Sequence, residues 1–442
     1  MTAWSIDQLT VTNFRCFETL TIDFDPQCTV LVGENGAGKT SILEAITIML
    51  STVTRSFGGD TRGMGNDDAR QVPTDLDSVR QVAHMKEPHY PVEMTAVAHL
   101  GGTECTWSRQ RRSRASHTTW GSNTAASRAE AIAAAVQSDS NGSVVLPVLA
   151  YYGIARLQQR RNQGSLDPTR LGVYQSCLDS HSDTRRLVGL LWDLTFAVVQ
   201  AANKGGPEPR AAKLQLRALD MACESVLKPT GWKDPRVESR ELGGLTLRHD
   251  QHGILPIDSL AAGIRITALL ALDIASRAAR ANPALGAEAL LRDVPGVVLI
   301  DEIDLHLHPR WQKQILTQLT RTFPSMQFIV TTHSPLVLST RPPSQIRDLE
   351  HVIDGVVQQP RFARGLGPEV ILRDIMDTEP IPIETPEQKK LREYVELVNQ
   401  SRGSEDTALA LRRELEQVLG SAGDVAEFAE ADARILFDQL SE

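Results

Sequence analysis

The chain has 442 residues, of which 41% are hydrophobic and 23% are charged, as in folded globular proteins with room for two or three domains. Its formal net charge of −9 excludes a surface that is basic throughout, so any nucleic-acid contact must be a local patch. The five cysteines show no Cys-x-x-Cys spacing, which favours reduced thiols over a disulfide or zinc framework. The N-terminus lacks the features of a signal peptide, and no apolar run approaches the about 18 residues of a membrane span, so we expect a cytoplasmic protein with no membrane contact.

Most of the elements predicted in the first 155 residues are β-strands, because apolar residues alternate with polar ones or form short runs bounded by turn residues. The predicted strands lie at 4–24 (two strands), 29–32, 91–100, 103–111 and 144–150. One helix is predicted over 41–50, shortly after the strand 29–32. Residues 113–143 are rich in Ser, Asn, Thr and Ala and predict a surface insertion or linker with one short helical patch near 128–136.

The rest of the chain predicts helices, then strands alternating with helices, and finally helices alone. Apolar residues at helical spacing predict helices over 156–227, and a last helical region runs from about 366 to the end. Between these regions the predicted strands are 245–248, 254–257, 294–301, 327–332 and 349–357, and the predicted helices are 259–280 and 311–323. This alternation indicates an α/β fold.

The glycine-rich loop after the strand 29–32 carries the clearest motif. Gly33 to Thr40 matches the P-loop pattern G-x-x-x-x-G-K-[ST] at every fixed position. Glycines let successive N–H groups turn inward as an anion-binding nest, and the following helix adds its positive N-terminal end. Lys39 would reach the β- and γ-phosphates, and the Thr40 hydroxyl would join a Mg²⁺ shell. The predicted nucleotide-binding residues are Gly33, Glu34, Asn35, Gly36, Ala37, Gly38, Lys39, Thr40 and Ser41.

Two later strands end in residues suited to nucleotide chemistry. The apolar run 297–300 precedes Asp301, which would help to hold Mg²⁺, and Glu302, which would polarise the water that attacks the γ-phosphate. The strand 327–332 precedes His333, one helix and two turns further along the chain. We expect His333 at the same sheet edge as Glu302, within reach of the γ-phosphate. The predicted metal ligands are therefore Thr40 and Asp301.

The order of these motifs resembles one family. A P-loop, a helical insertion, a glycine-containing helix start at 258–265, an Asp-Glu strand and a His strand resemble the ABC-type ATPase heads of the RecF, Rad50 and OLD group. In detail the chain resembles the stand-alone, PtuA-like ATPase subunits of Septu and retron-associated anti-phage systems. The stretches that carry the resemblance are 11–17, 33–40, 147–153, Asp301-Glu-Ile-Asp-Leu-His-Leu-His-Pro309 and Thr331-Thr-His-Ser-Pro335.

The resemblance implies a fold and a domain division. The fold would be an α/β ABC-type P-loop ATPase head with a mixed sheet, a helical insertion lobe and a helical C-terminal tail. Its parts would be an N-terminal ATPase lobe (1–155), a helical lobe (156–250), a C-terminal ATPase lobe (251–358) and a helical tail (359–442).

The resemblance also implies a mechanism in which two heads pack head to tail as a homodimer or higher homo-oligomer. ATP and Mg²⁺ would lie between the P-loop of one head and the signature loop of the other, with Glu302 as the base and His333 as the γ-phosphate sensor. The segment 303–308 would cross to the partner, which accounts for His306 and His308 better than a metal pair does. Arg15 would lie near the nucleotide.

The signature loop departs from the family pattern L-S-x-G-x-R, because this chain reads Leu260-Ala-Ala-Gly-Ile-Arg265. Ala261 stands where a serine hydroxyl would bond the γ-phosphate across the dimer, while Gly263 and the helix N-terminus remain. Losing one hydrogen bond to a charged acceptor would weaken the closed dimer by roughly 1.5–3 kcal/mol. We therefore expect slow or partner-dependent ATP turnover. The glutamine of the family's Q-loop is either Gln71 or Gln81.

The one dense basic run is Arg109-Gln-Arg-Arg-Ser-Arg114, flanked by Trp107 and Trp120. It is either an exposed hairpin end with a solvated face or a contact to the DNA phosphate backbone.

Three functions remain open on the sequence. The chain is an ATP-hydrolysing dimeric head that drives a separate effector, a nuclease or toxin, in phage defence; or a RecF-like DNA-repair ATPase; or a nucleotide-stabilised scaffold with little turnover. The tail after His333 shows neither the Glu and D-x-D cluster nor the H-N-H pattern of a metal nuclease. We therefore expect the effector to be another protein.

Overall fold

The structure, a computed structural model, describes residues 3–59, 61–73, 86–139, 141–154, 169–180, 184–204, 209–238, 244–378, 385–420 and 426–441. The chain divides into two compact units, Met1–Met376 and Asp377–Glu442.

All the strands of the described part belong to the first unit. They are β1 (Trp4–Phe14), β2 (Phe17–Asp23), β3 (Cys28–Val32), β4 (Gln71–Pro73), β5 (Lys86–Pro88), β6 (Val92–Leu100), β7 (Thr103–Arg111), β8 (Thr119–Asn123), β9 (Val148–Tyr152), β10 (Trp232–Val237), β11 (Leu245–His249), β12 (Gly253–Pro256), β13 (Gly296–Ile300), β14 (Met326–Thr331), β15 (Ile346–Ile353) and β16 (Val356–Gln358).

The helices alternate with these strands and then continue alone. They are α1 (Lys39–Ser56), α2 (Thr124–Ser138), α3 (Thr184–Lys204), α4 (Arg210–Leu227), α5 (Ala262–Ala281), α6 (Ala287–Arg292), α7 (Pro309–Gln312), α8 (Ile315–Thr322), α9 (Pro335–Leu338), α10 (Pro368–Asp374), α11 (Pro386–Asn399), α12 (Asp406–Leu419) and α13 (Ala426–Ser441).

An eleven-stranded sheet runs through the first unit in the order β8-β7-β6-β1-β2-β16-β15-β3-β14-β13-β9. The side from β15 to β9 is parallel, whereas the side from β8 to β2 is antiparallel. The predicted α/β fold with a mixed sheet is thus confirmed. Since β14 lies between β3 and β13, the carboxyl ends of the P-loop strand, the His strand and the Asp-Glu strand meet at one edge.

The strand β3 is central because its side chains face two cores. Cys28, Val30 and Val32 belong to the core that the helices α4, α5 and α8 share. Leu31 points to the opposite core, which contains the apolar face of α1. A five-residue strand that is buried throughout and apolar except for Thr29 is what a parallel strand between helical layers requires.

The stretch 113–143 differs from the predicted surface insertion or linker. Residues 119–123 form β8, which pairs with β7, and residues 124–138 form α2. Its alanines 125, 129 and 133 are buried, so small side chains at i, i+4 and i+8 let α2 pack closely on the core. The short helical patch predicted near 128–136 is part of α2, and the low hydrophobicity of its alanine face is why the composition suggested a linker.

The boundary of the C-terminal part also differs from the predicted 359. Ile371 and Ile375 are buried in the core of the first unit, so α10 belongs to that unit. The second unit is helical, as predicted for the tail, and packs α11, α12 and α13 around Tyr394, Leu415 and Phe428. In the described part of the chain, none of the helices is both long and apolar enough to cross a membrane.

Candidate functional site

The loop between β3 and α1 takes a conformation that only glycine tolerates readily. Gly36 and Gly38 have φ of 95° and 94°. A Cβ at Gly38 would collide with the ring of Phe17 and lie 2.7 Å from the Sγ of Cys16. Gly38 is therefore required for its backbone conformation and for the close approach of residues 16 and 17, a contact that the sequence did not predict.

Lys39 begins α1 and is only 7% exposed. Its Nζ donates hydrogen bonds to the carbonyl oxygens of Gly33 at 2.7 Å and Glu34 at 2.8 Å. Burial lowers the pKa of Lys39 from its ordinary value, and the nearby carboxylates, Asp301 first among them, oppose this shift. The ammonium group thus lies inside the loop, surrounded by acidic groups that favour its charged form.

Asp301 connects the ends of three strands and one helix of the site. It follows β13, is 1% exposed, and accepts hydrogen bonds from the Oγ1 of Thr40 at 2.9 Å and of Thr331 at 2.6 Å. Its backbone N–H donates to the carbonyl oxygen of Tyr152 at the end of β9. A buried carboxylate requires such partners, and these come from α1, β14 and β9.

Glu302 follows in a left-handed conformation with φ of 48°, unusual for a residue other than glycine. Its N–H donates to Thr331 Oγ1 at 2.7 Å, so the same hydroxyl contacts both Asp301 and Glu302. Glu302 and His333 are half-buried. His333 follows Thr332, whose hydroxyl donates to Asp304 Oδ1 at 2.5 Å, so the ends of β13 and β14 are tied together.

The oxygen atoms at this edge fit a small divalent cation. The Thr40 hydroxyl and the Asp301 carboxylate lie 2.9 Å apart, and hydroxyl and carboxylate oxygens are the ligands that Mg²⁺ prefers beside phosphate. No group of three or more His, Cys, Asp or Glu residues that could hold a metal occurs in the described residues, and His308 instead accepts a hydrogen bond from the N–H of Arg310.

Of the signature residues, Gly263 packs against the segment 303–308. Ala261 is exposed and precedes α5, and its methyl group supplies no capping hydrogen bond. A Cβ at Gly263 would lie 2.5 Å from the carbonyl oxygen of His306, which has φ of 60°. Glycine is thus needed here for close packing against a backbone turn.

Arg15 immediately precedes Cys16 in the chain, and its guanidinium pairs with Glu44 and with Asp68 at 2.9 Å. Burial alone would lower the pKa of Arg15, but these two carboxylates outweigh burial and raise it. Because Glu44 lies on α1, this ion-pair cluster holds the chain after β1 against the helix that carries Lys39 and Thr40. The proximity of Arg15 to the nucleotide site stays a prediction.

The predicted exposure of the basic run 109–114 holds only for part of it. Arg109 and Arg111 are 4% and 8% exposed. The Nη1 of Arg109 donates to Ile48 O and Ser51 Oγ, its guanidinium stacks on Trp120 at 4.5 Å, and Trp107 is fully buried. Successive side chains of β7 point to opposite faces of the sheet, and residues 107, 109 and 111 point inward. The number of basic residues in the run does not indicate this direction. Arg112 and Arg114 are exposed.

Of the two glutamines considered for the Q-loop, Gln71 lies at the start of β4, and its Nε2 donates to Ala69 O at 3.3 Å. Gln81 lies outside the described residues.

Two family models together match most of the first unit. A family model described as "AAA domain" matches residues 8–217, and one described as "AAA domain, putative AbiEii toxin, Type IV TA system" matches residues 233–339. The chain is 36% identical over 166 residues to the "Retron Ec83 probable ATPase" of Escherichia coli, covering 38% of this chain and 30% of that protein. Over these stretches the chain is thus similar to ABC-type ATPases of the RecF/Rad50-like group.

Other relatives match shorter stretches of this chain. The "Septu protein PtuA" of Bacillus mycoides is 61% identical over 46 residues, covering 10% of this chain and 6% of that protein. The "DNA replication and repair protein RecF" of Lactobacillus acidophilus is 40% identical over 62 residues, covering 14% and 16%. The matched stretches span less than a third of these relatives' lengths. A solved SMC head bound to the C-winged helix domain of ScpA matches 80% of this chain and 96% of that chain at 16% identity and a TM-score of 0.47, too low to support an inference.

Proposed function

We propose that this protein binds and hydrolyses ATP with Mg²⁺, dimerises around ATP, and thereby controls a separate effector, a nuclease or toxin, in cytoplasmic anti-phage defence. The matches to the two AAA-domain models support the ATPase activity, and the retron and Septu relatives support the role in defence.

The observation that carries the proposal is the hydrogen bond between Thr40 Oγ1 and Asp301 Oδ2, two residues 261 positions apart in the sequence. It brings the hydroxyl of the P-loop and the carboxylate of the Asp-Glu strand together. These are the two protein ligands that hold Mg²⁺ beside the phosphates in P-loop ATPases.

The other residues of the site would each perform one task. The loop N–H groups and Lys39 would bind the β- and γ-phosphates, and Thr40 and Asp301 would hold the cation, which neutralises charge on the phosphate oxygens when it is bound. The Glu302 carboxylate would accept a proton from the attacking water, and His333 would donate a hydrogen bond to the γ-phosphate. The loop with Ala261 and Gly263 would close on the nucleotide of a second head.

The test compares ATP binding, turnover and dimerisation in the wild type and two variants. We expect Lys39→Ala to weaken ATP binding at least about 10-fold, because it removes the ammonium that the phosphates contact. We expect Glu302→Gln to bind ATP, lose turnover by roughly 100-fold or more, and accumulate as an ATP-bound dimer in sedimentation velocity. Glu104→Gln, an exposed charge change on β7, serves as the control. Wild-type turnover in Glu302→Gln would contradict the assignment.

The scaffold function rests on one specific observation, the absence of a hydroxyl at Ala261. If the protein is the proposed ATPase, Ala261→Ser restores a phosphate contact. It then increases ATP-driven dimerisation and turnover by roughly 10-fold, as one charge-assisted hydrogen bond allows. Unchanged dimerisation and turnover would sink this explanation of slow turnover, and a wild type that binds ATP without measurable hydrolysis would favour the scaffold.

The DNA-repair function is favoured by the RecF relatives and by the exposed Arg112 and Arg114. It predicts that duplex DNA alone stimulates ATP turnover, with no effector present. The proposed defence function predicts that stimulation requires the partner protein.

A further inference from the structure

The strand β15 extends past the end of β3 and brings an acidic side chain to the P-loop. The two strands are parallel, with Ile346 paired to Val30 and Asp348 paired to Val32. The next two residues of β15 therefore lie beside Gly33 and Glu34. The Cβ of Leu349 and the Oε1 of Glu350 would each lie 3.5 Å from a Cβ at Gly33.

Glu350 contacts the loop directly, since its Oε1 accepts a hydrogen bond from the backbone N–H of Glu34. The carbonyl oxygen of Glu34 accepts a hydrogen bond from Lys39 Nζ at 2.8 Å. The backbone of Glu34 is thus held at its N–H by a carboxylate and at its C=O by the lysine that is expected to bind phosphate. One N–H of the predicted anion-binding loop, that of Glu34, is therefore already bonded to a negatively charged group, the Glu350 carboxylate.

The position of Glu350 is set by its own strand. The backbone N–H of Glu350 donates to the Oδ1 of Asp348 at 3.1 Å, and Asp348 is 3% exposed. This anchored turn directs the exposed part of β15 over the loop. Glu350 is also among the acidic groups that favour the charged form of Lys39.

We propose that Glu350 sets the nucleotide affinity of the P-loop: its carboxylate holds the start of the loop in place and repels the bound polyphosphate. The inference rests on the proposed ATP binding and names a specificity-determining residue for it. Because the repulsion grows with the charge of the ligand, Glu350 weakens ATP binding more than ADP binding. The site then binds ATP less tightly than its P-loop pattern alone would allow, and its preference for ATP over ADP is smaller.

The substitution Glu350→Gln separates charge from contact, since the amide oxygen still accepts the Glu34 N–H. We expect the Kd for ATP, measured by calorimetry with Mg²⁺ at low ionic strength, to fall roughly 3- to 10-fold. The Kd for ADP should fall less. Both changes should shrink in about 0.5 M salt, because salt screens exposed charges. Glu350→Ala also removes the acceptor, so its gain in affinity should be smaller than that of Glu350→Gln.

The matched control is Asp354→Asn, which removes one negative charge from the exposed turn after β15. Asp354 has φ of 50°, a conformation that asparagine tolerates, and it should change the Kd for ATP less than about 2-fold. Thermal unfolding of each variant reports whether it is folded.

Two negative outcomes are distinguishable. If the wild type binds ATP and folded Glu350→Gln binds it equally or more weakly, the inference about Glu350 is wrong while the proposed function stands. If the wild type binds no ATP, the proposed function is wrong and the inference falls with it.

Discussion

Thr331 is a residue whose single hydroxyl serves both carboxylate positions of the site. It donates to Asp301 Oδ1 and accepts the N–H of Glu302, at 2.6 and 2.7 Å. Both contacts would orient the Asp-Glu pair relative to the P-loop. An apolar strand that ends in two threonines predicts burial but not this contact, because the partner lies on a neighbouring strand.

The isosteric substitution Thr331→Val should remove both bonds without changing the volume. We expect it to lower the free energy of unfolding by about 1–3 kcal/mol, because a buried carboxylate loses a partner, and to reduce ATP turnover at least about 10-fold. Denaturant unfolding and an ATPase assay measure the two effects. Thr320→Val is the control, since that buried hydroxyl bonds only carbonyls of its own helix. A Thr331→Val protein as active as Thr320→Val would refute the role of this hydroxyl.

The arginines of β7 are buried, whereas those of the loop after it are exposed. Arg109 and Arg111 support the fold, so reversing their charges would test folding and not DNA contact. The exposed pair, Arg112 and Arg114, remains available to phosphates.

We expect the double reversal Arg112→Glu and Arg114→Glu to leave thermal unfolding unchanged. If this surface contacts DNA, the salt slope of binding should fall by about 2, since each lost phosphate contact lowers it by roughly one unit. The double reversal Arg210→Glu and Lys213→Glu on α4 is a matched control. Unchanged DNA affinity and salt slope would remove this surface from consideration.

At the scale of elements, the connection between α2 and β9 depends on one acidic residue. The carboxylate of Asp139 accepts hydrogen bonds from the N–H groups of Val144 at 2.7 Å and Asn141 at 3.2 Å. These donors, the Val144 N–H above all, lower the pKa of Asp139 to about 2. The turn that returns the chain from α2 to the central sheet is thus held by a charge.

The lowered pKa predicts the pH dependence of this contribution. A folded pKa below the unfolded value of about 3.9 means that the stabilisation is complete above pH 4 and is lost as pH falls toward 2. Asp139→Asn should therefore lower the melting temperature at pH 7, and its difference from the wild type should shrink below pH 4. Asp354→Asn should show no such trend. A difference that stays constant from pH 7 to pH 3 would rule out the charge as its cause.

At the scale of the molecule, the two units have separate cores. The first unit buries Ala363, Ile371 and Ile375 from the region after β16, whereas the second has its own cluster around Tyr394 and Phe428. The boundary after Met376 is therefore the position at which the chain can be divided without opening a core.

We expect a chain of residues 1–376 to unfold cooperatively and to bind ATP as the full chain does. A chain of residues 1–358 lacks three buried apolar side chains and should lose several kcal/mol, at about 2–5 kcal/mol for each large one removed. Circular dichroism melts and ATP calorimetry compare the two. If both truncations melt alike, α10 adds nothing to the first core.

Much of the site was predictable because its motifs are local. The P-loop, the Asp-Glu strand and the His strand each consist of adjacent residues with a strong pattern, and parallel strands bring their ends to one edge. The strand pairs β1–β2 and β6–β7 were predicted within a few residues for the same reason, since alternation and a Gly-Gly turn are local signals.

The errors fell where side-chain direction or packing decides. The helix α2 was expected only as a short helical patch within a linker, and the inward-facing arginines of β7 were interpreted as part of an exposed basic run. The strand β10 was missed, because Pro235 and charged residues interrupt its apolar pattern.

The sequence by itself determined that a P-loop, an Asp-Glu strand and a His strand occur in the order of an ABC-type head. It also determined the α/β class. The motifs and the order of strands and helices can be predicted from adjacent residues and from the spacing of apolar ones. Only the tertiary structure decided that Thr331 joins Asp301 to Glu302, that Glu350 contacts the P-loop, and that Arg109 is buried. Each of these depends on the register between strands distant in the chain, and a register is set by packing of the whole sheet.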